Sequence, residues 1–201
     1  MIKIILMDAD GVLIRKESDF LQRFSKDQDI EPRQVEDFFR NEWHQIVTGR
    51  ADLKEVLKEY MPRWGWLKSI EDLLVYWFIS EKDVDKRITL SVKNLSKQGI
   101  DCYLATNQEK YRLEHLSEVM KFKSLFKRIY SSCDLGVRKP NREFFDLIWN
   151  DLGCPPKNQI LFWDDSKSNI LSARKYGFHA HHYSSYQDFR QIMEARYDLS
   201  V

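Results

Sequence analysis

Four stretches of this 201-residue chain place an acid, hydroxyl, amide or amine at the end of an apolar run or at the start of a helix. Asp8 and Asp10 flank Ala9 after Ile4, Ile5, Leu6 and Met7. Thr106 and Asn107 follow the run from Ile100 to Ala105. Lys139 stands before Pro140, and Asp164 with Asp165 follows Gln159 to Trp163. Phosphate-ester cleavage uses these residue types. A carboxylate can attack phosphorus and form an aspartyl-phosphate, and a second acid can protonate the leaving alkoxide. Hydroxyl and N–H donors with a lysine offset charge on the transferring group. Repulsion between a carboxylate and a phosphate dianion calls for a hard divalent cation with oxygen ligands. Each stretch also has a purely structural reading: a turn after a strand, a helix cap for Thr106, a solvated Lys139, and an acidic helix start for Asp164 and Asp165. All four would have to coincide, so the pattern as a whole favours a site.

The elements that position these residues follow from periodicity. Ile2 to Met7 is a nearly continuous apolar run with β-branched residues, as in a strand buried on both faces of a parallel sheet, and such sheets carry their chemistry at the carboxyl ends of strands. From about residue 16 to 85 the pattern is helical only. Phe20, Leu21 and Phe24 share a face; Val35, Phe38, Phe39, Trp43 and Ile46 continue at helical spacing after Pro32; Leu53, Val56, Leu57 and Tyr60 form a third stripe. Ser69 with Asp72 reads as a capping box before Leu73, Leu74, Trp77 and Phe78. This spacing predicts about four helices packed through their aromatic residues. From Val84 onward, helix alternates with strand. Strands are predicted at 100–105, 128–132, 159–163 and 179–183, with a helix from 108 to 120 and another opened by Pro140. The whole reads as a doubly wound α/β sheet.

Composition narrows the function. The chain is 43% hydrophobic, long enough for one large domain or one domain carrying an insertion. Lys plus Arg (32) nearly balances Asp plus Glu (31), which leaves no basic field for nucleic acid or an anionic membrane. Cys102, Cys133 and Cys154 form no CxxC pair, which argues for free thiols in a reducing cytoplasm. No signal peptide and no apolar run of membrane length is present in the sequence. The cluster at His179, His181 and His182 has no acidic or cysteine neighbours in sequence and reads as a surface strand rather than a metal site.

DADGVL, LATNQ, RKPNREFF and FWDDS resemble, in order, the four motifs of the haloacid dehalogenase-like hydrolase superfamily, and the resemblance covers essentially the whole chain. It implies a Rossmann-like core, residues 1–15 plus 86–201, with an inserted all-helical cap at 16–85. By the same resemblance Asp8 is the nucleophile and Asp10 the acid that protonates the leaving group and then activates water. Mg²⁺ would be held by Asp8, Asp165 and the Asp10 backbone carbonyl, with Asp164 bound through water or as an outer partner. Thr106 Oγ and the Asn107 backbone N–H would take phosphoryl oxygens, and Lys139 would supply positive charge.

The resemblance further implies a phosphomonoesterase acting on a small phosphorylated metabolite, because dehalogenases and phosphonate-cleaving members lack the second Asp. A phosphomutase keeps the same core residues, and an inactive binding protein would have lost one of them; neither oligomeric state nor substrate identity follows from the sequence. Arg15, just past the catalytic turn, and Trp43, His44 and Arg50, near the end of one cap helix, are the candidates for facing the substrate. Trp43 also fits the apolar stripe of its helix. The cap is expected to move as a lid with joins near Arg15 to Ser18 and Glu81 to Asp85.

Overall fold

A computed structural model describes residues 1–15, 20–79 and 83–201. Five parallel strands form one sheet in the order β3-β2-β1-β4-β5, where β1 is Ile4–Met7, β2 Asp101–Thr106, β3 Ile129–Ser131, β4 Ile160–Asp164 and β5 His179–His182. The chain runs outward from β1 to β3 on one side, then crosses to β4 and β5 on the other. β1 is therefore the central strand, at the point where strand order reverses. Met7 lies opposite Leu104 on one neighbour and Trp163 on the other, so the next residues of the three strands converge at one edge.

Strand alternation sends alternate residues to two cores. Ile5 and Met7, with Leu161 and Trp163, join Ile88, Val92 and Leu95 of α6 (Lys86–Lys97) and Phe189 and Met193 of α12 (Tyr186–Tyr197). Ile4 and Leu6, with Ile160 and Phe162, meet Phe144, Phe145 and Ile148 of α10 (Arg142–Asp151) and Ile170 and Ala173 of α11 (Lys167–Tyr176). β1 is buried along its whole length, as its uninterrupted apolar run requires.

Among the described residues from 20 to 79 there are five helices: α1 Phe20–Gln28, α2 Pro32–Asn41, α3 Trp43–Val47, α4 Leu53–Tyr60 and α5 Ile70–Ile79. They enclose a third apolar cluster in which the Phe20 and Trp77 rings stack at 4.2 Å. The expected single helix from Val35 to Ile46 is two, parted at Glu42, which stays in the right-handed helical region but with φ stretched to −107°. The spacing runs across the break since both helices turn their apolar sides into the same cluster. The predicted capping box exists: the Ser69 hydroxyl accepts from Asp72 N–H at 3.0 Å and the Asp72 carboxylate accepts from Ser69 N–H at 3.2 Å.

Two other expected helix starts shift by two residues. The helix after Pro140 starts at Arg142, because the Asn141 side chain caps it by accepting from Glu143 N–H at 3.0 Å. The helix foreseen from 108 to 120 is α7 (Lys110–Glu114), capped by Glu109, running into a π-helical turn from His115 to Val119. The expected joins fall partly on residues 16–18 and 81–82, outside the described residues. At their described ends Ile14 pairs with Val84, Arg15 N–H donates to Asp83 O at 2.9 Å and Asp85 N–H to Leu13 O at 2.8 Å. No helix among the described residues is long and apolar enough to cross a membrane.

The helices of 20–79 dock on the sheet domain through a backbone contact. Gly49, at φ +70°, lies so close to α9 (Ser132–Leu135) that an added Cβ would stand 2.4 Å from the Cys133 carbonyl oxygen. Gly65 shares the positive φ (+67°) but faces open space. Gly65→Ala should therefore cost only the left-handed backbone penalty of roughly 1–2 kcal/mol, whereas Gly49→Ala should add an overpacking cost of about 1–3 kcal/mol. Thermal unfolding of the two variants checks this, at about 2–4 °C per kcal/mol for a chain of this size. Equal losses would mean that the Gly49 contact yields freely.

Candidate active site

The first-strand turn folds as it does because Ala9 is buried and its carbonyl accepts from the N–H groups of Leu13 and Ile14, both at 2.9 Å, while Gly11 N–H donates to Ile14 O at 2.7 Å. The turn brings Gly11, at φ +79°, against Asp165. A Cβ there would lie 2.2 Å from the Asp165 carboxylate, so only glycine meets both the backbone angle and the close approach. Asp8 N–H donates to Trp163 O at 2.9 Å, which fixes the start of the turn to β4.

Lys139 is the hub. It is fully buried, and its Nζ donates to Asp164 Oδ2 at 2.7 Å and to Ala105 O at 2.7 Å, and lies 3.0 Å from Asp8 Oδ1. Its three N–H bonds thus meet three acceptors drawn from the ends of β1, β2 and β4. The Asn107 side chain holds the Lys139 backbone from both sides, accepting from its N–H at 2.9 Å and donating to its carbonyl at 3.0 Å. Asp164, also fully buried, accepts from Lys139, from Ser166 N–H at 2.8 Å and from Asn169 Nδ2 at 2.9 and 3.0 Å.

Oxygen atoms of Asp8, Asp164 and Asp165 lie within 4.8 Å of one another, a donor set suited to a hard divalent cation. Of these, Asp164 already accepts hydrogen bonds from Lys139, Ser166 and Asn169. Burial pushes the Asp8 carboxyl up to about 7, opposed by Lys139 and reinforced by Asp164 and Asp10. Burial disfavours the Lys139 charge, but Asp8 and Asp164 outweigh it and raise that group above the ordinary lysine value.

Thr106 is buried at the end of β2, where its hydroxyl accepts from Gln108 Nε2 at 3.4 Å. The Asp10 side chain is 35% exposed; Gln108 Nε2 donates to its Oδ2, and Arg112 Nη2 stands 3.8 Å from its Oδ1. The four sequence stretches are thereby gathered at one edge of the sheet. The candidates at 15–50 divide. His44 and Arg50 line a cleft of about 660 Å³ together with Arg138, Lys139, Asn141 and Glu143. Trp43 is half-buried against Phe38, Phe39 and Trp77 and packs the helical cluster. The Arg15 guanidinium is 3.4 Å from Asp83 and 3.3 Å from Asp85, at the paired joins.

Sequence reasoning missed Gln108, Arg112 and Asn169. Gln108 and Arg112 are four apart, but Gln108 precedes the Glu109 cap of α7, so helical spacing does not mark the pair. Nothing local marks Asn169 as a partner of Asp164.

A sheet of this order with two acids past β1, a lysine hub and an acidic pair past β4 defines a hydrolase site of known ancestry: the chain belongs to the haloacid dehalogenase-like (HAD) hydrolases, whose sequence profile matches residues 2–177. A D-ribitol-5-phosphate phosphatase of Bacteroides thetaiotaomicron is 26% identical over 200 residues, covering 95% of this chain and 96% of that protein. A sesquiterpene phosphatase of Aspergillus oryzae is 30% identical over 93 residues, 46% of this chain, and the match spans about half (47%) of that protein. Among solved structures, a HAD-family enzyme of Bacteroides thetaiotaomicron has a TM-score of 0.81 at 22% identity, covering 96% of this chain and 98% of its own. It has also been solved in complex with magnesium and inorganic phosphate.

Because the folded-state pKa of Asp8 is raised, the folded chain binds more protons than the unfolded one between about pH 4 and 7, and stability is lost as pH rises through that window. In chelator, Asp8→Asn should melt above the wild type at pH 8, with the gap closing toward pH 4. A gap that stays constant across that range in calorimetry would show that Asp8 titrates normally.

Proposed function

We propose that the chain is a Mg²⁺-dependent phosphomonoester hydrolase that works through an aspartyl-phosphate at Asp8 on a small phosphorylated metabolite. The observation that carries this reading is Asp10 two residues past Asp8, beside a cluster in which Lys139 meets Asp8 and Asp164 and oxygens of Asp8, Asp164 and Asp165 lie within 4.8 Å of one another. The full-length likeness to a D-ribitol-5-phosphate phosphatase supports a polyol or sugar phosphate as the substrate class.

Asp8 attacks phosphorus in line with the leaving oxygen, and Asp10 gives its proton to the departing alkoxide. Asp10, now a carboxylate, takes a proton from water, whose oxygen attacks the aspartyl-phosphate and releases inorganic phosphate and free Asp8. Lys139 lies beside the nucleophile and offsets charge on the phosphoryl oxygens, which Thr106 Oγ and the Asn107 N–H bind. Asp8, Asp165 and the Asp10 carbonyl would hold Mg²⁺, with Asp164 orienting from behind. When bound, the cation supplies the positive charge that lets a carboxylate approach a phosphate dianion.

Residues 16–85 act as a cap over this edge of the sheet, with His44 and Arg50 reaching toward the non-reacting part of the substrate across the cleft they share with Arg138 and Asn141. Such a cap excludes water and lends remote binding energy to the reacting centre.

A panel of phosphate monoesters assayed with Mg²⁺ and with chelator tests the reading. Wild-type turnover should release inorganic phosphate, rather than an isomeric phosphate, and stop in chelator. Asp8→Asn should lose at least a factor of about 10² in kcat while keeping its fold. Full activity in metal-free buffer, or an Asp8→Asn variant that retains more than a few per cent, would defeat it. His44→Ala and Arg50→Ala should lower kcat/KM for the best panel ester by about tenfold (about 1.4 kcal/mol) more than for p-nitrophenyl phosphate, which offers a cap little to recognise. Parallel losses on both esters would remove these two residues from substrate contact.

A further inference from the structure

Asp8 and Asp10 are two residues apart yet are held by opposite means. Asp8 is buried and fixed by Lys139 and the Ala9 N–H. The Asp10 side chain is 35% exposed, so its own burial does not determine where its carboxyl points. Two side chains that are themselves almost wholly buried, Gln108 at 4% and Arg112 at 3%, reach it instead. Gln108 Nε2 donates to Oδ2 and Arg112 Nη2 approaches Oδ1 at 3.8 Å, one partner for each oxygen. Burying an amide and a guanidinium is costly unless their polar atoms are engaged, so these groups are placed for a purpose that packing does not supply.

Both reach Asp10 from fixed positions. Gln108 N–H donates to the Ser132 hydroxyl at 3.0 Å, and that hydroxyl donates to the Val47 carbonyl at 2.6 Å, in the helices of 20–79. Arg112 has its backbone N–H held by the Glu109 carboxylate, its guanidinium over the Phe78 ring at 5.4 Å, and Nη1 donating to the Phe78 carbonyl at 3.5 Å. Each is thus seated at the beginning of α7 and tied to the helices that cover the site.

We propose that Gln108 and Arg112 are positioning residues that hold the Asp10 carboxyl in the orientation needed to exchange a proton with the leaving oxygen and then with water; the inference rests on the phosphatase reading above. Each carboxyl oxygen has two lone-pair directions, so a donor on one leaves the other open to the reacting oxygen. Proton transfer in the transition state requires heavy atoms within about 2.6–3.2 Å, and a carboxyl free to rotate on the surface meets that condition only part of the time. Neither residue touches the phosphoryl group or the nucleophile in this role. Their loss should therefore slow chiefly the steps that need the proton of Asp10, the 3.4 Å bond from Gln108 to Thr106 Oγ being a weaker tie.

The test uses the full chain and two esters in rapid-mixing kinetics: the alkyl phosphate that the wild type turns over fastest, and p-nitrophenyl phosphate, whose leaving group departs without a proton. In Gln108→Leu, phosphoryl transfer from the alkyl ester should fall by tenfold or more with KM changed by less than about threefold. With p-nitrophenyl phosphate the same variant should release a burst of about one equivalent of p-nitrophenolate at close to the wild-type rate. A slow steady state should follow, because water activation also depends on Asp10. Arg112→Ala should behave alike, and Arg112→Lys, which keeps the charge, should recover part of the loss. Where a variant does not fold, Gln108→Asn and Arg112→Lys carry the same expectation for the ratio between esters, in smaller measure.

Equal losses in phosphoryl transfer from both esters, a loss confined to KM, or no loss on the alkyl ester would overturn the inference. A wild type that hydrolyses no monoester with Mg²⁺ would overturn the phosphatase reading itself, and this inference with it. A wild type that hydrolyses the alkyl ester while the variants leave the ratio unmoved would leave that reading standing and sink only the positioning role.

Discussion

A lysine ammonium with no exposed surface, placed among three oxygen acceptors, is the constraint on which the rest of the structure depends. Removing such a charge from water costs several kcal/mol, and only close, well-aimed acceptors offset it. Lys139 finds them in Asp8, Asp164 and the Ala105 carbonyl, one at the end of each of the three central strands. The strands must therefore end level with one another, which the parallel register through Met7, Leu104 and Trp163 arranges. The lysine must also arrive from a long connection after β3, and the Asn107 amide clamps its backbone there. Fold and site are thus one problem: apolar strands carry the acceptors into place, and the buried cation makes misplacement expensive.

Acids crowd this hub: oxygen atoms of Asp8, Asp164 and Asp165 lie within 4.8 Å of one another beside Lys139. Burial chiefly raises the Asp8 carboxyl to about 7. A divalent cation held there would offset the crowding, and its binding would be linked to release of the Asp8 proton. The glycine at position 11 belongs to the same economy of space, because it lets Asp165 close on the turn without a side chain between them.

Much of this was legible in the sequence, and the boundary between what was and was not has a physical cause. β1 and β4 are readable because strands buried on both faces are apolar throughout, and their ends are marked by an abrupt change to acids. The capping box at Ser69 is readable because its partners are three residues apart. What is not readable is partnership across the chain. Gln108 and Asp10 are 98 residues apart, and no local periodicity announces their bond. The same limit hides the partner of Arg15, whose charge is plain in the sequence while Asp85, 70 residues on, is not marked as its partner. The break at Glu42 escaped for a different reason, since two short helices that bury their faces in a common cluster keep a continuous apolar spacing.

The partner of each polar group also separates rigid from adjustable parts of the site. Among the described residues, Lys139, Asp164 and Asn107 bond to partners in the sheet domain, through the ends of strands that are themselves hydrogen-bonded on both sides. Asp8 is seated on this set through Lys139 and Trp163. Asp10 differs, because both residues that reach it are bonded in turn to those helices, through Val47 and Phe78. Its geometry is therefore sensitive to how the helices dock, and the close backbone approach at Gly49 is one of the contacts that set the docking. In the proposed reaction, a site divided in this way would keep attack and charge compensation on a fixed frame. Proton transfer would then be the step that responds to what the helices of 20–79 enclose, which is where a shared core could tell one phosphate ester from another.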